Sequence, residues 1–175
     1  MFTKVHQQLV INAASILRSP VQILPKFVQK KALLEGLSLV FKEALEDGDF
    51  EFLTDKWLTI TIRDLDLSWS ISYQNERLVV ADKTVDTDVS FSGNLNDLVL
   101  ITGRKEDPDT LFFQRRLLIE GDTELGLEVK NLMDSVDFDA LPKPLLIGIN
   151  QLADFVYKGL SSPLAQTEVN HAYSN

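Results

Sequence analysis

The chain has 175 residues, 45% of them hydrophobic, and a formal net charge of −9. This length suits one domain with a sizeable core, and the absence of cysteine excludes disulfides, thiolate catalysis and Cys-ligated metal or iron–sulfur centres. The two histidines, His6 and His171, lie near opposite ends, so a Ser-His-Asp triad or multi-histidine metal site would need a terminus folded into a cleft.

Residues 1–34 contain Lys4, Arg18, Lys26, Lys30 and Lys31 and no acid, a net +5 that leaves −14 on the rest of the chain. An acidic body does not gather on nucleic acid. A basic, apolar arm suits an anionic membrane surface or an acidic partner. A pair of helices with solvated lysines and an organelle transit peptide are the competing readings. Val5, Leu9, Ala13, Ile16 and Leu17 are spaced for a helix over 3–18. Ser19-Pro20 is expected to stop it, because the residue before proline disfavours the α region. Pro25 opens a second helix to about Glu46, with Leu33, Leu37, Val40, Phe41 and Ala44 as its apolar face and Gly48 at its end. No stretch approaches the roughly 20 apolar residues of a membrane span. The first residues lack a secretory pattern, and the last three, Tyr173-Ser174-Asn175, are no peroxisomal address. The expected location is cytoplasmic.

The pattern then changes to period two. Leu58, Ile60 and Ile62 alternate with Thr59 and Thr61; Leu65, Leu67, Trp69, Ile71 and Tyr73 alternate with polar residues; Val85, Val89 and Phe91 do the same. Such alternation marks antiparallel strands with one packed face and one wet face. Leu78 to Ala81 reads as a further short strand, as does Phe50 to Leu53. Asn94 opens a helix lined by Leu95, Leu98, Val99 and Thr102, with Asp97 completing a variant of the capping box.

Asp107-Pro108 starts a helical turn, Arg115 to Glu120 reads as a strand, and Gly121-Asp122 ends it. Asp122 is placed to cap the next helix. There Leu125, Val129, Leu132, Met133 and Val136 share one face, while Leu127 lies off it. A last helix spans about 142–159, with Leu145, Leu146, Ile149, Leu152, Ala153 and Val156 as its stripe. Residues 161–175 are polar and read as a frayed tail.

The elements predict an α+β fold: a mostly antiparallel sheet of five to six strands with helices on one face. The expected divisions are a helical arm over 1–34, a body over 35–160 and a tail over 161–175. Trp69, Phe91, Phe112, Phe113, Leu125, Val129, Leu132 and Met133 form an apolar set, which periodicity alone reads as ordinary core. Asp64 with Asp66, Asp86 with Asp88, and Asp107 with Asp109 look like carboxylate pairs for glycoside hydrolysis or a divalent cation. Such i, i+2 acids on an alternating strand fall instead on its wet face, and Asp107 is better explained as a helix cap. No phosphate-binding or calcium-loop pattern occurs. No catalytic residue, metal or cofactor is assigned.

Thr102-Gly103-Arg104, Pro108, Phe112-Phe113-Gln114, Leu117-Leu118-Ile119-Glu120-Gly121 and Lys130-Asn131-Leu132 resemble the pattern of sterol carrier protein type 2 domains. Arg63-Asp64, the stretch 107–116, the stretch 120–126 and the stretch 151–156 resemble one bacterial branch, the UbiT (YhbT) accessory factors of ubiquinone biosynthesis. The resemblance covers about residues 40–156, and Arg115-Arg116 replaces the Gly-Lys usual in sterol carriers. It implies an apolar cavity between sheet and helices, touched by Trp69, Phe91, Phe112, Leu125, Val129, Leu132 and Met133. It further implies a non-catalytic accessory role in the oxygen-independent route. The protein would bind a polyprenyl quinone precursor or phospholipid and present it to partner hydroxylases, UbiU/UbiV-like proteins. Lys26, Lys30, Lys31, Arg115 and Arg116 are the candidates for membrane or headgroup contact. The alternative is a ligand-free scaffold for protein partners in a membrane-associated complex.

Overall fold

The computed structural model describes residues 2–81, 83–137 and 141–161. Four helices come first: α1 (Phe2–Ile11), α2 (Ala13–Ile23), α3 (Lys26–Val40) and α4 (Lys42–Asp47). Strands β1 (Leu58–Ile62), β2 (Leu67–Gln74), β3 (Arg77–Val80) and β4 (Val89–Gly93) follow. Then come α5 (Leu95–Thr102), α6 (Pro108–Phe113), β5 (Leu118–Gly121), α7 (Thr123–Asp134) and α8 (Lys143–Leu160). The fold is α+β. The expected tail lies outside the described residues apart from Ser161.

The sheet corrects the expected topology. It has five strands in the order β3-β2-β1-β4-β5 and is mixed, because β1 and β4 run parallel. The chain leaves β3 by a loop that crosses to the far side of β1 and returns to the end where β1 begins, with Asp88 bonded to Trp57, so β4 runs parallel to β1. The expected strand at Phe50–Leu53 is a 3-10 turn, Glu51–Leu53. It buries Phe50 and Leu53 completely, so its apolar content reflects core packing rather than pairing. Leu65 closes another 3-10 turn, Arg63–Leu65, with Asp66 left-handed after it, so β2 begins only at Leu67.

The register puts the alternating apolar residues into one layer. Ile60 lies between Trp69 of β2 and Phe91 of β4, and Leu58 between Ile71 and Val89. The other face carries hydroxyls: Thr59 meets Ser70 at 2.9 Å and Thr61 meets Ser68 at 3.0 Å. At the end of β5, Gly121 has φ +111°, and an added Cβ would lie 2.4 Å from the Asp88 carbonyl oxygen. Only glycine fits that corner.

The N-terminal helices depart from expectation. Asn12 interrupts the first, and α2 then runs through Pro20 to Ile23. Pro20 is exposed, so water can satisfy a carbonyl freed by its missing N–H. Contacts on both sides of the proline hold the helix down: Arg18 pairs with Asp66 at 2.9 Å, and the Gln22 side chain donates to the Leu65 carbonyl at 3.2 Å. The second expected helix breaks at Phe41 into α3 and α4 and ends at left-handed Gly48. Residue 34 falls inside α3, so arm and body share that helix.

Helix α1 packs on α8. Val10 is buried in a cluster with Leu100 and Val156, and His6 bonds the Phe155 carbonyl at 2.8 Å. Of the stripe expected on α8, Ala153 and Val156 are buried, whereas Leu152 is half exposed and Leu145 is exposed. The helix packs through its small residues. A Cβ on Gly103 would meet the Ala153 Cβ at 2.1 Å, and one on Gly159 would meet Val10 at 2.5 Å.

Candidate functional site: an apolar cavity between sheet and helices

A cavity of about 400 Å³ lies between the apolar face of the sheet and the helices. Its floor is Leu58, Ile60, Ile62, Trp69, Ile71 and Phe91, which the strand register brings into one layer. Leu98, Ile101 and Thr102 of α5 form one side, and Val129, Leu132 and Met133 of α7, with Val136 beyond it, form another. Ala32, Leu33, Gly36, Leu37 and Val40 of α3 make the remaining wall with Phe41 and Phe50.

The chemistry of this wall is nearly uniform. No charged side chain lines it, and its polar side-chain atoms are the Trp69 indole nitrogen and the Thr102 hydroxyl. Thr102 donates that hydroxyl to the Leu98 carbonyl at 2.7 Å. A ligand oxygen buried here would exchange water for few partners, at a cost of about 1–3 kcal/mol for each unmet bond. A hydrocarbon chain carries no such penalty. The volume falls within the roughly 300–1,000 Å³ of small-molecule sites.

Five of the seven residues named for ligand contact, Trp69, Phe91, Val129, Leu132 and Met133, stand in the wall. Phe112 and Leu125 do not; both pack against the core behind it, Phe112 edge-on to Phe91 with ring centroids 6.5 Å apart. Phe113 is 92% exposed and touches neither cavity nor core. Leu127 is exposed, as its place off the α7 stripe implies. Helix α7 itself starts where expected, with the Asp122 carboxylate accepting from the Glu124 and Leu125 amides at 2.9 and 3.0 Å.

The arginines are placed differently from the sequence reading. They precede β5 instead of alternating along it, because the chain turns at Arg115, whose φ is +59°. Arg115 is exposed. Arg116 is committed to the buried carboxylate of Asp97, to which its Nε donates at 3.0 Å and its Nη2 also donates. Neither lines the cavity. Asp97 therefore faces inward rather than completing a capping box. Asp64 caps α5 from a distance instead, accepting from the Leu95 amide at 2.9 Å.

Of the other carboxylates named in pairs, Asp86 is exposed, Asp66 pairs with Arg18, and the rest have structural partners. Asp88 accepts from the Trp57 amide at 2.8 Å and pairs with Lys56. The amide bond, then the Lys56 ammonium, holds its pKa below the ordinary value. Asp107 caps α6 through the Thr110 amide at 2.9 Å. Asp109 and Asp134 share Lys130, whose pKa they raise. Lys105 lowers the pKa of Asp154 by a hydrogen bond from the loop after α5 to α8. Among the described residues, no group of three or more His, Asp or Glu side chains is arranged to hold a metal ion.

An α+β body with an apolar cavity between its sheet and its helices, lined by no charged residue, defines the class of the fold. The SCP-2 sterol transfer family matches residues 27–134, and the chain belongs to that family. It is 48% identical over 162 residues to the ubiquinone biosynthesis accessory factor UbiT of Escherichia coli (strain K12), covering 93% of this chain and 92% of that protein. Among solved structures, a UbiJ-SCP2 ubiquinone synthesis protein aligns with a TM-score of 0.49 and 15% identity, over 62% of this chain and 96% of its own.

Proposed function

We propose that this protein is a non-catalytic lipid-binding accessory factor of ubiquinone biosynthesis. It binds the hydrocarbon part of a polyprenyl quinone precursor, or of a phospholipid, and presents the polar end to partner hydroxylases, UbiU/UbiV-like proteins. The observation that carries this reading is the cavity wall without a charged residue, supported by the similarity to UbiT. Burying each methylene contributes about 0.8 kcal/mol, so some ten methylenes give roughly 8 kcal/mol towards extraction from a bilayer. The polar end stays outside, where water and partners reach it.

Trp69 supplies the test. The chain has two tryptophans, so a Trp57→Phe background leaves Trp69, in the cavity wall, as sole reporter. A farnesyl-tailed phenol is expected to change its fluorescence saturably in the micromolar range. An unchanged spectrum up to the solubility limit of the phenol sinks the reading.

The corner between α2 and α3 is the proposed membrane contact. Ile23 is 80% and Phe27 71% exposed there, beside Lys26 and Lys31, while Lys30 reaches the Val80 carbonyl at 3.4 Å. Exposed apolar side chains with lysines nearby in the chain, of which Lys31 pairs with Glu35 at 3.7 Å, suit the face of an anionic bilayer on the cytoplasmic side. Among the described residues no helix is long and apolar enough to cross it. The double variant Ile23→Ser/Phe27→Ser is expected to lose most flotation with phosphatidylglycerol vesicles; flotation equal to the parent's contradicts this docking face.

The second reading, a ligand-free protein-interaction scaffold, is favoured by one feature: α8 leaves Ile147, Leu152 and Phe155 substantially exposed. It predicts partner binding by a protein whose cavity takes up no lipid.

A further inference from the structure

Helix α3 has 15 residues and none of them is buried, yet it supplies five positions to the cavity wall. Gly36 is the middle one, and it is both exposed and part of that wall. Elsewhere in the molecule packing accounts for small residues: a Cβ at Gly103 or Gly159 would collide with a neighbouring helix. At Gly36 an added Cβ meets nothing within 4 Å. A glycine inside a helix weakens it relative to alanine, and here no steric conflict explains it. Gly148 of α8 is equally unobstructed, but it lies away from the cavity wall. Only at Gly36 does a missing side chain on a solvent-facing helix coincide with the wall of the apolar cavity.

We propose that Gly36 is the portal of the cavity: a hydrocarbon chain enters and leaves across α3 at this residue, between the flanking side chains of Leu33 and Leu37. The proposal rests on the lipid-binding reading and adds to it a route and a residue that limits the cross-section of what passes. The entering class is a single hydrocarbon chain, linear or methyl-branched, whose polar end trails outside. A side chain at the portal obstructs entry and exit alike. Its mark is therefore kinetic, with both rates slowed and the equilibrium constant little moved, whereas a residue that merely contacts bound ligand changes the dissociation constant.

The test uses the full chain in the Trp57→Phe background, with the farnesyl-tailed phenol as probe and stopped-flow fluorescence of Trp69 as readout. Gly36→Phe is expected to slow association and dissociation at least tenfold, with Kd within about threefold of the parent. Gly148→Phe, which adds the same bulk to open space away from the cavity, is expected to match the parent in both rates. Gly36→Ala provides the fold control, with a Tm about 2–4 °C above the parent and an intermediate slowing. Parent-like rates in Gly36→Phe, or faster dissociation with a raised Kd, overturn the portal while leaving the cavity reading intact. A parent that binds no phenol overturns both.

Discussion

Val129→Trp and Leu132→Trp are each expected to cut bound lipid at least tenfold while the protein still folds. Both side chains are buried, and both stand in the cavity wall on α7. Adding bulk to a filled core typically costs about 1–3 kcal/mol. Here an indole has a space of about 400 Å³ to grow into, so the stability loss is expected at the low end of that range, while the space left for a chain shrinks. Leu127→Trp adds a comparable bulk to an exposed position of the same helix and is expected to retain the parent's lipid. Native mass spectrometry beside a thermal melt reads both quantities. Variants that keep their lipid, or that lose more than about 3 kcal/mol by unfolding the sheet–helix interface, contradict a cavity at this place.

Arg116→Ala is expected to cause the largest stability loss of any single surface-accessible residue described above, about 2–3 kcal/mol, and a Tm lower by roughly 4–12 °C. The reason is asymmetric burial. The Asp97 side chain is 7% exposed and that of Arg116 34%. Removing the arginine strands a carboxylate with little access to water. Removing the carboxylate leaves a guanidinium that can still turn towards solvent. Asp97→Ala is therefore expected to cost clearly less, about 1–2 kcal/mol. The main chain adds to this coupling, since Arg63 donates to the Arg116 carbonyl at 2.6 Å and ties the turn after β1 to the approach to β5. Equal losses in the two variants, measured by urea unfolding, contradict the asymmetry.

Much of the fold is legible in the sequence because the signals are local. The alternation through β1, β2 and β4, the caps at Asp107 and Asp122, and the stops at Gly48 and Gly121 depend on residues close in the chain. What escapes is non-local. The parallel pairing of β1 with β4 depends on the loop after β3 returning to the end where β1 begins, and no period encodes that. Helix α2 survives Pro20 because Asp66 and the Leu65 carbonyl, more than 40 residues away, hold it on both sides of the proline. Arg115 and Arg116 look like strand residues until a left-handed turn at Arg115 removes them from the sheet.

The site divides the same way. Trp69, Phe91, Val129, Leu132 and Met133 carry the right periodicity, but that period is identical for a filled core and for a cavity wall. The expectation of a cavity came from the resemblance and not from the pattern; of the residues it named, Phe112 and Leu125 pack against the core outside the wall. Gly36 was missed because a lone glycine in a helix has no signature of its own. It acquires meaning only beside an empty space.

The most direct test of the account is native mass spectrometry, with lipid extraction, of the full chain purified gently from its own cells. A lipid carrier is expected to show a stoichiometric adduct that extraction identifies as an isoprenoid quinone precursor or a phospholipid, and that Leu132→Trp removes. An unliganded parent that still captures its protein partners would contradict it and make the chamber an incidental gap in a scaffold.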